Sequence, residues 1–211
     1  MNLKIGKWYS AWRTDISKHK LLILLSLAFF LLANAASFFA SRYVDNIHAV
    51  SVPDLILDHI PTVNLEFIFV YGILLVFFVI IIHSVIFHAK NFHQIIFQFS
   101  LLILVRSFFI MLTHLSIPEG GLIIANAPGL LKSFYFNNDL FFSGHTAVPF
   151  MAFLLFRKDR IRIFFLAMTI ILAITVLLMH VHYSIDVFSA FFITYGIYMF
   201  GEWIFRKYAL N

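Results

Sequence analysis

Six apolar stretches, each close to the length of a bilayer crossing, leave this chain little choice of fold. A transmembrane helix needs about 20 predominantly apolar residues. The candidates run from Leu21 to Ala40, from about Val63 to Phe87, from about Ile95 to Thr113, from Ser143 to just before Arg157, from Ile161 to about Met179, and from about Ile185 to Phe205. The fourth is short and is expected to extend back through Phe141 and Phe142. Composition agrees: 62% of residues are hydrophobic and only 12% charged, with 28 Phe, whereas soluble domains carry about 25% charged residues. A water-soluble fold of this size could not hide so much apolar surface. The expected fold is therefore all-α, a polytopic membrane protein built as a six-transmembrane-helix bundle. A cytoplasmic segment 1–20 would precede the bundle at 21–205, and a cytoplasmic tail 206–211 would follow it. No internal repeat, low-complexity segment or soluble domain interrupts this plan. The Phe residues read as lipid-facing or packing residues.

Lys and Arg in short loops set the orientation. With the N-terminus in the cytoplasm, the cytoplasmic segments hold Lys4, Lys7, Arg13, Lys18, Lys20, Lys90, Arg157, Lys158, Arg160, Arg162, Arg206 and Lys207, which is 12 of the 15 basic residues. The outer segments hold Arg42 and Lys132, and Arg106 lies within the third span. Both termini are thus expected to be cytoplasmic. The formal charge of +5 reads as a topology signal rather than a nucleic-acid footprint. Ala33-Asn34-Ala35 has the small-x-small form of a signal-peptidase site, but the apolar run continues to Ala40 and reads as an uncleaved span. The chain has no cysteine, which excludes disulfides, thiolate chemistry and Cys-ligated zinc. The longest loops lie outside. One covers roughly 41–62 with Pro53 and Pro61, and a short interfacial helix is expected over Val52 to Ile60. The other covers 114–140 with Pro118, Gly120, Gly121, Pro128 and Gly129, residues that break helices.

Polar residues at the rim of a span are expensive and mark candidate sites. His145 lies in Ser143-Gly144-His145-Thr146, at the outer end of the fourth span. His182 and Asp186 lie at the outer start of the sixth. A topology read from Lys and Arg alone brings all three to one membrane face. His and Asp four apart share a helix face, so the carboxylate of Asp186 can fix the tautomer of His182 and leave the other ring nitrogen nucleophilic, the orienting logic of a catalytic triad. A second imidazole, His145, can then protonate a leaving oxygen. The small pair Ser143 and Gly144 lets backbone N–H groups approach an anion at a helix N-terminus. Either histidine alone reads more simply as an interfacial polar residue; the three together on one face favour a site.

At these residues the chain resembles the type 2 phosphatidic acid phosphatase superfamily, and within it the sphingomyelin synthase branch. Asn138-Asp139-Leu140-Phe141-Phe142-Ser143-Gly144-His145-Thr146 resembles that branch's Gly-Asp-x-x-x-Ser-Gly-His-Thr motif. His180-Val181-His182-Tyr183-Ser184-Ile185-Asp186-Val187 resembles its His-x-His-Tyr-Thr-x-Asp-Val motif, with Ser184 in place of Thr. The stretch from Arg106 to Thr113, followed by Ile117-Pro118, looks like its third-span Arg-x-x-x-Met-x-x-Thr motif and the turn after it. Pro53-Asp54 and Asp58-His59 look like the segment before its second span. The resemblance covers roughly residues 53–190. Animal members have a cysteine before the Gly-Asp pair, where Phe136-Asn137-Asn138 stands here.

The resemblance implies a compact bundle whose last three spans form the catalytic core, and a lipid phosphotransferase: a phospho-alcohol (phosphocholine or phosphoethanolamine) moves from a glycerophospholipid to a lipid hydroxyl such as ceramide or diacylglycerol, with His182 as nucleophile. A lipid phosphatase or a phospholipase C-like hydrolase is the alternative. Lipid phosphatases of the superfamily carry a Lys-x6-Arg-Pro motif and a further Arg before the nucleophile, and neither is present here. The compact chain suggests a bacterial member, in the inner membrane with its site facing the periplasm. No cofactor or metal is expected; the partners are the two lipids, with a homo-oligomer left open. Substrate-binding candidates are Asp139, Ser143, Gly144, Arg106, His180 and Tyr183. Asp139 could tune His145 or cap a helix, and Arg106 could bind phosphate or pair with Glu66 or Asp186. Glu119 and His114 read as loop residues. His83, His88 and His93 recur every five residues, which would scatter them around a helix.

Overall fold

The computed structural model describes residue 10, residues 12–122 and residues 140–208. It holds six long helices in the expected order: α1 (Lys20–Asp45), α2 (Glu66–Phe87), α3 (Phe92–Leu112), α4 (Gly144–Leu155), α5 (Arg162–Leu178) and α6 (Ser184–Lys207). Among the described residues there is no β-sheet, only one isolated bridge between Val50 and Leu115. Four helices are long and apolar enough to cross a membrane: α1, α2, α3 with the 3₁₀ turn before it, and α6. They mark an integral membrane protein. The other two are apolar but shorter, with 17 residues in α5 and 12 in α4. At 1.5 Å per residue α4 is about 18 Å long, well short of a hydrocarbon core of about 30 Å.

The shortness of α4 corrects one expectation. The helix does not run back through Phe141 and Phe142; both lie in a bend, and Ser143 is the N-cap. Other boundaries shift less. Helix α1 continues five residues beyond Ala40, and α6 reaches Lys207. Of the interfacial helix expected over Val52 to Ile60, only a 3₁₀ turn at Leu57–His59 forms. Helix α2 stops at Phe87, and a 3₁₀ turn at Ala89–Asn91 joins it to α3. The histidines at 83, 88 and 93 therefore do not lie on one continuous helix.

Helix α4 sits at the centre. It packs most closely on α5, then on α6, and also touches α2 and α3. Ala147, Met151 and Ala152 on α4 are fully buried, in one cluster with Leu102, Phe142, Phe165, Leu172 and Ala190. Small residues here let neighbouring backbones approach, which is how helices associate where no water drives them together. Helix α1 leans mainly on α3. Its buried Ser26, Ala33 and Ala40 recur every seven residues, as do His93, Ser100 and Ser107 on α3. Both helices thus offer a narrow small or polar stripe, and a seven-residue repeat is the spacing of a left-handed crossing. Much of the rest of α1 is exposed apolar surface, including Leu24, Leu31 and Phe39.

Helix α3 is fastened to α6 by Gln98, which is fully buried and donates from Nε2 to the Tyr198 carbonyl at 3.1 Å. A Cβ on Gly201 would coincide with the Gln98 amide. Gly201→Ala should therefore destabilise the protein in detergent by about 1–3 kcal/mol, and adding Gln98→Ala should recover part of that loss. Equal melting temperatures for wild type and Gly201→Ala would show that the two helices do not pack this way.

Candidate active site

The C-terminal end of α5 leaves carbonyl groups without helical partners, and three neighbouring segments supply donors. His180 N–H bonds the Leu177 carbonyl at 3.0 Å and Val181 N–H the Val176 carbonyl at 3.1 Å, the paired bonds of a Schellman cap. This cap requires a left-handed residue just past the helix, and His180 fills that place with φ of 51°. The Leu178 carbonyl accepts from Val63 N–H at 2.7 Å, and the Met179 carbonyl from Leu122 N–H at 3.1 Å. Gly121 lies so close to the His180 carbonyl that a Cβ there would strike it. Both long loops are thus stitched to the backbone at the end of α5, immediately before the His180-to-Asp186 segment.

The start of α6 is held by two carboxylates. Asp186 Oδ2 accepts the Tyr183 N–H at 2.9 Å and lies 3.4 Å from His182 Nδ1. Asp54 arrives from the first long loop. Its Oδ2 accepts the Ser184 N–H at 2.7 Å, while Oδ1 accepts from Ile56 and Leu57 N–H at 2.9 and 3.1 Å. One carboxylate therefore folds its own turn and caps a helix 130 residues away. Burial alone would raise the pKa of Asp54; the N–H donors of Ser184, Leu57 and Ile56 outweigh it and hold the carboxyl below its ordinary value of 3.8. Tyr183, a substrate-binding candidate from its motif, is 1% exposed. Its hydroxyl donates to the Ser116 carbonyl at 2.9 Å and accepts from Val52 N–H at 3.1 Å. Its hydroxyl therefore clasps the two loops together.

The start of α4 joins the start of α6 directly: Ser143 N–H donates to the Asp186 carbonyl at 3.1 Å. This bond brings the two motifs to one end of the bundle. Two residues after Ser143, the ring of His145 stacks on Phe69 of α2 with centroids 3.8 Å apart and donates to the Phe69 carbonyl. Its Nε2 has no partner, so the bond to Phe69 uses Nδ1. His182 and Arg106 both lie within electrostatic range of His145. Arg106 Nε donates to the Phe142 carbonyl at 2.7 Å, and its guanidinium flanks Gly144, where an added Cβ would lie 3.5 Å away. The arginine thus ties α3 to the bend before α4 while its charge stays beside the helix start.

Buried polar atoms normally find partners. Here Ser143 Oγ, His145 Nε2, Thr146 Oγ1, His180 Nε2 and Asp186 Oδ1 are buried with no hydrogen-bond partner, and all five belong to the two motif segments. Of these residues only His180 lines the neighbouring cavity of about 450 Å³, whose other walls come from the two loops and include Asp54, Asp58, Pro118 and Glu119; His145, His182 and Asp186 do not line it. His180 Nδ1 faces the Glu119 carbonyl at 3.4 Å.

The remaining candidates sort plainly. Asp139 lies outside the described residues. His114 is exposed, with Nε2 3.1 Å from the Met111 carbonyl. Glu66 stands in the first turn of α2. Glu119, read from sequence as a loop residue, lines the cavity. His83 and His88 meet at the opposite end of the bundle, both with Nε2 on Asp159 Oδ2. Sequence reasoning placed Pro53-Asp54 within the resemblance without giving Asp54 a role; a capping bond across 130 residues leaves no local signature.

The family described as "PAP2 superfamily C-terminal" matches residues 138–203. The matched stretch, less than half of the chain, contains His145, His182 and Asp186, and over it the chain is similar to that family. No curated protein matches the chain.

The cap formed by Asp54 carries a pH test. Its carboxyl is held below its ordinary value in the fold, so its contribution is present above the unfolded pKa and is lost as pH falls through the folded one. Asp54→Asn should cost about 1–2 kcal/mol at neutral pH, and the gap to wild type should close as pH falls below about 4. A gap that is absent at neutral pH, or that persists undiminished in acid, would contradict this assignment.

Proposed function

We propose, from the PAP2 superfamily match, that this membrane protein is a phospholipid head-group phosphotransferase, with His182 as nucleophile and His145 as acid–base partner. The five partnerless buried polar atoms at one end of the bundle carry the reading. Such groups are costly unless a ligand answers them, and a phosphate diester offers oxygens to both imidazoles and to the Ser143 and Thr146 hydroxyls.

The charge of the site favours a diester. Among the described residues Arg106 is the cation beside His145, and Asp54, Asp58 and Glu119 line the cavity that meets the site at His180. A phosphomonoester or diphosphate would bring at least one more negative charge into these surroundings. A zwitterionic donor such as a choline or ethanolamine phospholipid suits them better, with its phosphate at the histidines and its ammonium group towards the carboxylates.

The chemistry then needs no group beyond these residues. Asp186 holds His182 Nδ1, leaving Nε2 to attack phosphorus. The bond from phosphorus to the glycerol oxygen breaks, and His145, which takes up a proton at Nε2 from solvent as the phosphate anion binds beside it, gives that proton to the departing diacylglycerol. The head group remains as a phosphoramidate on His182. An acceptor hydroxyl, ceramide or another lipid alcohol, then gives its proton to His145 and attacks the same phosphorus. The phosphorus–nitrogen bond breaks, and both histidines return to their starting states. The stacking and hydrogen bond at Phe69 fix the His145 ring so that Nε2 handles the proton in both steps. Exchange of both lipids sideways from the bilayer, on the face away from the basic loops, fits the Lys and Arg distribution; in a bacterial inner membrane that face is periplasmic.

His145→Ala should lower turnover by about 10²–10⁴-fold, the range for loss of a general acid–base group. His182→Ala should abolish turnover, while both variants keep the wild-type melting temperature within a few degrees. With a head-group-labelled donor and ceramide, the label should appear in an acceptor lipid. Release of free phosphate would indicate a phosphatase, and release of a soluble phospho-alcohol a hydrolase. Full activity in either histidine variant would end the mechanism.

A further inference from the structure

At the end of the bundle opposite the candidate active site, three ligating side chains meet that this mechanism does not use. His83 lies in the last turns of α2, and His88 is the C-cap just beyond it. Because the helix stops at Phe87, the chain turns and points His88 back alongside His83. Asp159 comes from the loop between α4 and α5. His83 Nε2 lies 3.1 Å and His88 Nε2 2.6 Å from the same oxygen, Asp159 Oδ2. The ligand atoms all fall within 4.8 Å of one another.

We propose that His83, His88 and Asp159 form a binding site for a divalent transition metal ion of the zinc class. Two imidazole nitrogens and one carboxylate oxygen are donors that zinc and its first-row neighbours accept, whereas magnesium and calcium take oxygen ligands. The spacing suits the ion. Around a tetrahedral zinc with bonds of about 2.0–2.1 Å, ligand atoms sit about 3.3 Å apart; here the two nitrogens lie 3.1 and 2.6 Å from the carboxylate oxygen and all three atoms within 4.8 Å, so small adjustments of the three side chains admit an ion. The three side chains are only 15–30% exposed, and the buried ring of Phe156 packs edge-on against His83 at 4.9 Å and tilted against His88 at 5.2 Å. This aromatic floor fixes both imidazoles and leaves a fourth coordination position for water.

Asp159 is a carboxylate, anionic at neutral pH. It is a ready anionic ligand. The neighbouring Arg157, Lys158 and Arg160 are exposed, and Arg162 is turned onto the Arg157 carbonyl at 2.9 Å. Solvent screens these cations from the ion. Their presence predicts a moderate affinity rather than that of an all-anionic site. The ion would tie the turn between α2 and α3 to the loop that follows α4, so it would stiffen the end of the helix that carries His145 at its other terminus.

The test uses the full-length protein in detergent, stripped with chelator and titrated with Zn²⁺ alone. One equivalent should bind at this site and raise the melting temperature, and Mg²⁺ should do neither. Co²⁺ as a spectroscopic substitute should give the visible absorption of a low-coordinate nitrogen–oxygen site. His88→Gln and His83→Gln should each weaken Zn²⁺ binding beyond the roughly 10–100-fold that loss of an outer-shell partner causes and remove the melting shift. His182→Ala should leave this binding unchanged, which separates it from the reading of the active site. Failure of wild type to bind Zn²⁺, or binding that survives in His83→Gln/His88→Gln, would overturn the proposal.

Discussion

The bond from Ser143 N–H to the Asp186 carbonyl, 3.1 Å long, is the join on which the architecture of the site depends. Inside a membrane a helix end cannot turn to water for partners, so each exposed N–H and C=O must be answered by protein. Asp186 answers three groups at once. Its carbonyl takes the Ser143 N–H, its carboxylate takes the Tyr183 N–H, and the same carboxylate oxygen faces His182. The starts of α4 and α6 are thereby locked together, and the histidines just inside and just before those starts are brought into one neighbourhood. Loss of the Asp186 side chain would disturb both the cap of α6 and the orientation of an imidazole, because one atom serves both.

Capping by distant segments is the general device at this end of the protein. Val63 and Leu122 close the carbonyls of α5, Asp54 closes the N-terminus of α6, and Tyr183 spans the two loops. Long loops that would be solvated linkers in a soluble protein here act as donors and acceptors for helix ends. This explains why loop residues such as Asp54 and Gly121 are constrained as tightly as those in the spans. It also explains how a helix as short as α4 is accommodated: its start is met by backbone from α6 and by Arg106 from α3 rather than by solvent.

Much of this was legible in the sequence. Six apolar stretches gave six helices in order, because the hydrophobic pattern of a membrane helix is local and strong. His145, His182 and Asp186 stand out because polar residues at a span's rim are costly, and basic-loop asymmetry places them at one end of the bundle. What escaped was non-local. Phe141 and Phe142 look like helix but are drawn into a bend by the Arg106 contact to the Phe142 carbonyl. The role of Asp54 depends on a partner 130 residues away. His83 and His88 look scattered only if α2 is taken to continue past Phe87; the break that unites them has neither a proline nor a glycine to announce it.

The chemical core of the proposed function is a covalent detour through one imidazole nitrogen. Stereochemistry at phosphorus tests it most directly. A donor phospholipid made chiral at phosphorus by sulfur substitution would be converted to product, and the configuration of the product compared with that of the donor. Two successive in-line displacements, the first by His182 and the second by the acceptor, predict retention. Inversion would mean a single direct transfer between lipids and would contradict a histidine-bound intermediate.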